Sequence, residues 1–69
     1  MKVSTRNLLK GKVTKITNGA VNSEVELELA GGQKVVSVIT LNSVKRLGLE
    51  VGKEAYAMVK ASSVMIAVD

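Results

Sequence analysis

Ala20-Val21-Asn22-Ser23-Glu24-Val25-Glu26-Leu27-Glu28-Leu29-Ala30-Gly31-Gly32 is the stretch that decides the fold. Val21, Val25, Leu27 and Leu29 fall on one parity, and Asn22, Glu24, Glu26 and Glu28 on the other. Alternation of apolar and polar residues has the two-residue period of a half-buried strand, because successive side chains of a strand point to opposite faces. Gly31 and Gly32 supply a tight turn. Gln33 to Leu41 is rich in β-branched residues and is the expected partner strand of a hairpin.

Working outward, that partner strand is apolar on both parities, with Val36 and Val38 facing one way and Val35, Ile39 and Leu41 the other. A small barrel has one core, so the second apolar face calls for another cover, and a neighbouring subunit is the simplest. Asn42 to Leu47 is a predicted short helix, with Thr40, Asn42 or Ser43 as its N-cap and Gly48 closing it in a left-handed conformation. Leu49 to Gly52 is a turn, and Lys53 to Lys60 a strand with Ala55, Ala57 and Val59 inside. Ala61-Ser62 breaks the pattern before a last strand, Ser63 to Val68, apolar on both sides. Asn7 to Thr17 is the first strand. The expected order is β-β-β-α-β-β: a mainly β chain, a five-stranded OB-like barrel with one short helix between strands 3 and 4.

With 69 residues, the chain is expected to be a single domain spanning 1–69. A domain of this size buries about 60% of its unfolded surface and is marginal alone. It has no Cys and no His, which removes disulfides and the usual zinc, iron and copper sites. Self-association is the remaining way to enlarge the core. The start, Met1 to Asn7, is polar, and no apolar run approaches a membrane span. The mature chain is therefore expected to begin at Met1, away from membranes, and the lack of Cys fits a cytoplasmic location.

Ten Lys and Arg stand against six Asp and Glu, and a basic balance makes a nucleic-acid-binding OB module the natural alternative. Tyr56 is the one aromatic residue, whereas single-strand binders stack bases on several rings. The cations are dispersed, and Lys2, Lys15, Lys34 and Lys53 are read as solubilising charges. Catalysis has little support. Glu24, Glu26 and Glu28 line one strand face, no carboxylate pair stands out, and the serines lack an activating partner other than Lys60.

Hydrogen-bond donors are the more promising feature. Ser4-Thr5-Arg6, Thr40-Leu41-Asn42-Ser43 and Lys60-Ala61-Ser62-Ser63 each combine hydroxyls with a cation or a helix start, and none contains a carboxylate. Such clusters suit a fully deprotonated oxyanion, which accepts hydrogen bonds and gives none. Each cluster also has a plain structural reading: Thr40 or Ser43 as a helix cap, Ser62-Ser63 as a turn, Lys60 as a surface lysine. A structural assembly module whose donors are merely caps and turns thus stands beside the binding readings.

The sequence resembles the molbindins, the Mop proteins built from one TOBE-type domain. The resemblance runs through Ser4-Thr5-Arg6-Asn7-Leu8-Leu9-Lys10-Gly11, matching S-x-R-N-x-x-x-G, and Asn18-Gly19-Ala20-Val21-Asn22-Ser23-Glu24-Val25. It continues through Ile39-Thr40-Leu41-Asn42-Ser43-Val44, Leu47-Gly48-Leu49 and Val59-Lys60-Ala61-Ser62-Ser63-Val64-Met65-Ile66. It implies a non-enzymatic binder of molybdate or tungstate with no further cofactor and no direct metal coordination. It also implies subunits that exchange strands or pack tightly as dimers, three dimers forming a hexamer, with the anion at subunit interfaces for storage and homeostasis. The implied ligand residues are Ser4 and Arg6 from one subunit, and Thr40, Ser43, Lys60, Ala61 (through its backbone N–H) and Ser62 from its neighbour.

Overall fold

The computed structural model describes all 69 residues. Strands β1 (Asn7–Asn18), β2 (Asn22–Leu29), β3 (Lys34–Thr40) and β4 (Glu54–Val59) surround one helix, α1 (Leu41–Leu47). The hairpin anticipated from the alternating stretch is β2–β3, antiparallel from Asn22↔Thr40 to Glu28↔Lys34. Its turn is closed by Gly32 N–H donating to Leu29 O at 2.9 Å and Leu29 N–H donating to Gln33 O at 2.7 Å. Gly32 takes φ 87° there, a conformation that a side chain at this position would strain.

β1 is the central ribbon. It pairs antiparallel with β2 along one edge and with β4 along the other, giving the order β3-β2-β1-β4 in a curled half-barrel. The β1–β2 register slips between Val13 and Lys15, so Thr14 is an extra residue that bends and twists the ribbon. Its hydroxyl donates to Glu26 Oε1 at 2.9 Å. That hydrogen bond, reinforced by Lys34 Nζ at 3.4 Å, holds the Glu26 carboxyl below the usual carboxylate range. Nearby, β1 and β2 approach closely at Gly11, where a Cβ would sit 2.8 Å from Glu28 O.

The concave face carries the core. Val13, Val25, Leu27 and Val44 are buried, with Ile16, Ile39, Leu49, Ala55 and Ala57 packed against them. Val25 and Leu27 therefore point where the alternation sends them. Val21 does not: it precedes β2 and is 71% exposed. The inward position nearest that end belongs to Ser23, 2% exposed, whose hydroxyl is satisfied by donating to Asn18 Oδ1 at 2.8 Å.

Among the three cap candidates, Thr40 is the N-cap, accepting from Ser43 N–H at 3.0 Å. Gly48 ends the helix at φ 64°, and Lys53 Nζ donates to Gly48 O at 2.9 Å.

The chain differs from expectation at its end. Ser63 to Val68 is not a strand, so the sheet has four strands rather than five. After a 3-10 turn at Ala61–Ser63 the chain runs on without pairing, and Met65 and Ile66 are 92% and 86% exposed. Apolar alternation makes a strand only where an edge accepts its backbone, and no edge within the chain does. An apolar groove of about 580 Å³ is left open instead, bordered by Val35 and Ile39 of β3 and by Ala55, Ala57 and Val59 of β4. Five of 69 residues are buried, a small core even for a chain this short.

Candidate functional site

Residues 1–6 precede β1 as an arm without strand pairing. The β1–β4 ladder begins at Asn7↔Val59, so the arm passes beside the end of β4 and the start of the turn that follows. Lys60 is the residue before that turn, in extended conformation (φ −62°, ψ 128°), with its carbonyl accepting from Ser63 N–H at 2.9 Å. The result is an open cleft of about 620 Å³ lined by Val3, Ser4, Thr5, Arg6, Met58, Lys60 and Ala61.

Four of the anticipated ligand residues, Ser4, Arg6, Lys60 and Ala61, thus meet within one chain. The resemblance implies that Lys60 and Ala61 act together with the helix start of a neighbouring copy. The β1–β4 ladder joins them to the arm of their own chain. Ser62 lies in the adjoining turn and does not line the cleft.

The electrostatics of the cleft are one-sided. The ion pairs of the chain are Lys10 with Glu54 at 3.3 Å and Lys34 with Glu26 at 3.4 Å. Arg6 and Lys60 have no carboxylate partner, and no acid lines the cleft. A guanidinium, an ammonium, a serine hydroxyl and a free backbone edge can all donate to one anion. With no carboxylate beside them, nothing repels that anion or accepts a proton from it.

Thr40 and Ser43 lie elsewhere. Thr40 pairs with Asn22, beside the Asn18 end of β1, whereas the cleft adjoins the Asn7 end. The length of β1, Asn7–Asn18, lies between the two. The helix start is also less rich in free donors than its sequence suggests. Leu41 N–H donates to Val21 O at 2.8 Å, and Ser43 N–H to Thr40 Oγ1. Thr40 Oγ1 in turn donates to Ser43 Oγ at 2.8 Å, which leaves the Ser43 hydroxyl proton free to point outward.

Val3 and Met58 also line the cleft and belong to no donor cluster, while Thr5, part of the Ser4-Thr5-Arg6 cluster, lies on its wall without being among the implied ligand residues. The signal for Thr5 was its hydroxyl between two assigned positions. For Met58 it was the outward parity of β4, shared with Glu54 and Tyr56.

The TOBE domain model matches residues 3–66. A probable molybdenum-pterin-binding protein of Haemophilus influenzae is 55% identical over 69 residues, covering both chains completely. MopII from Clostridium pasteurianum superposes with a TM-score of 0.93 at 49% identity, over 97% of this chain and 100% of that one. The cytoplasmic molybdate-binding protein ModG, in a crystal form with molybdate bound, gives a TM-score of 0.90 at 46% identity, over 94% of this chain and 46% of that one. The chain belongs to the TOBE-domain family and, within it, to the Mop group of molybdenum-pterin-binding proteins.

Proposed function

We propose that this chain binds molybdate as a homo-oligomer and acts as an intracellular molybdate store. Tungstate, nearly equal in size and charge, is an expected second ligand. The observation that carries the reading is the cleft where Arg6 and Lys60 stand without carboxylate partners beside Ser4 and the backbone of Ala61. That chemistry suits the anion named for ModG.

In this reading, Thr40, Ser43 and Ser62 complete the site from a second copy or from its adjoining turn. The separation of the two donor clusters along β1 favours a site shared between copies. Two features supply a reason for assembly. The segment Val64–Val68 is apolar, extended and exposed, and the groove between β3 and β4 is apolar and open. Exchange of that segment between copies closes each half-barrel with a fifth strand and covers both surfaces. A hexamer of three such dimers is the assembly we expect, residing in the cytoplasm. No helix of the chain is long and apolar enough to cross a membrane.

Titration calorimetry with molybdate, sulfate and phosphate tests the reading. Saturable heat with molybdate, and little with the other anions, is the expected outcome. Equal heats from all three, or none from molybdate, overturn it and favour a basic assembly module or a nucleic-acid binder. Steep salt dependence of oligonucleotide binding identifies the latter.

A further inference from the structure

The arm that carries Ser4 and Arg6 is fastened by one side chain. Thr5 Oγ1 donates to Val59 O at 3.0 Å, across 54 positions of sequence, and accepts from Asn7 N–H at 3.3 Å. Thr5 is half-buried, whereas Ser4 and Arg6 on either side are exposed. Val59 is the residue immediately before Lys60, and Asn7↔Val59 is the first rung of the β1–β4 ladder. No other side chain of residues 1–6 makes a hydrogen bond in this structure.

We infer that Thr5 is a positioning residue for the anion site: its hydroxyl pins the arm to the end of β4 and so holds Ser4 and Arg6 against Lys60. The inference rests on the molybdate reading above. Arginine and serine on an unpaired arm have many conformations, and ordering them on binding opposes affinity. A hydroxyl bonded to both the arm's own strand and the neighbouring one removes part of that freedom in advance. The bond joins the two chain segments that bring the cations together, so its effect passes through Arg6 and Ser4 rather than through contact with the ligand.

The test is molybdate calorimetry on the full chain and on Thr5→Val, Thr5→Ser, Arg6→Ala and Thr5→Val/Arg6→Ala, with thermal melts of each. Valine keeps the shape of threonine and removes the hydroxyl. Thr5→Val is expected to weaken binding about fivefold, the effect of one neutral hydrogen bond, while remaining folded. Thr5→Ser is expected to restore affinity to within about twofold. Valine is expected to cost less in the Arg6→Ala background than in the parent, because the residue it positions is gone. Parental affinity in Thr5→Val overturns the inference, as does an undiminished valine effect in the Arg6→Ala background. Parental affinity in Arg6→Ala sinks the site assignment itself, a separate outcome.

Discussion

Thr40 and Ser43 are joined twice at the start of α1: Ser43 N–H donates to Thr40 Oγ1 at 3.0 Å, and the Thr40 hydroxyl donates to Ser43 Oγ at 2.8 Å. The capping and ligand readings of these residues are therefore compatible. Thr40 satisfies the helix and presents Ser43 with its own proton free. Thr40→Ala is expected to lower stability by about 1 kcal/mol, as cap removal does, and to weaken molybdate binding as well. Urea unfolding and calorimetry on the same variant check both. Loss of stability with parental affinity would mean that the residue is a cap and nothing more.

Arg6 and Lys60 are the unpaired cations of the cleft. Arg6→Ala and Lys60→Ala are each expected to cost about 1.5–3 kcal/mol of binding, the range for hydrogen bonds to charged groups. Glu24→Ala, on the outward face of β2, is the control and should bind like the parent. Losses confined to the two cation variants support the cleft, whereas parental affinity in both removes it from consideration.

Much of this was legible in the chain and some was not, for physical reasons. The β2 alternation identified a strand with one buried face, and Val25 and Leu27 occupy it. Gly48 and the Thr40 cap were legible because helix ends demand particular residue chemistry. The Thr14 bulge was hidden, since a single extra residue leaves no mark on composition. The last segment misled because its alternation states that Val64–Val68 can pair, without stating with whose edge. Arg6 and Lys60 were recognisable as donors one at a time. Their meeting in one chain depended on the Asn7↔Val59 rung, a long-range pairing that local pattern does not encode.

Thr14 gives the bulge a pH signature. Its hydrogen bond lowers the Glu26 pKa in the folded state. A lowered carboxyl pKa stabilises the fold fully above the unfolded-state value, and the stabilisation is lost as pH falls through the folded-state value. Thr14→Val should therefore raise the Glu26 titration midpoint, followed by carboxyl NMR. Its stability deficit relative to the parent should be largest near neutral pH and shrink in acid. An unmoved midpoint contradicts the assigned cause.

The exposed tail sets the expected assembly. Ile66→Lys/Val68→Lys places charges on a segment proposed to enter an apolar groove, where unpaired charge is strongly disfavoured. Light scattering after size exclusion should report a smaller species than the parent. It should also melt lower, given how little a single chain buries. An unchanged mass would place the tail outside the interface.

The claim that the arm cleft and the helix start form one molybdate site across two copies is tested most directly by mixing. Arg6→Ala and Ser43→Ala chains are unfolded together and refolded at equal concentration, and bound molybdate is counted per chain. Each variant alone should bind poorly. In random pairs, roughly a quarter of the sites draw Arg6 and Ser43 from chains that retain them, so the mixture should recover about that fraction of parental binding. A mixture that binds no more than the two variants measured separately would contradict a shared site.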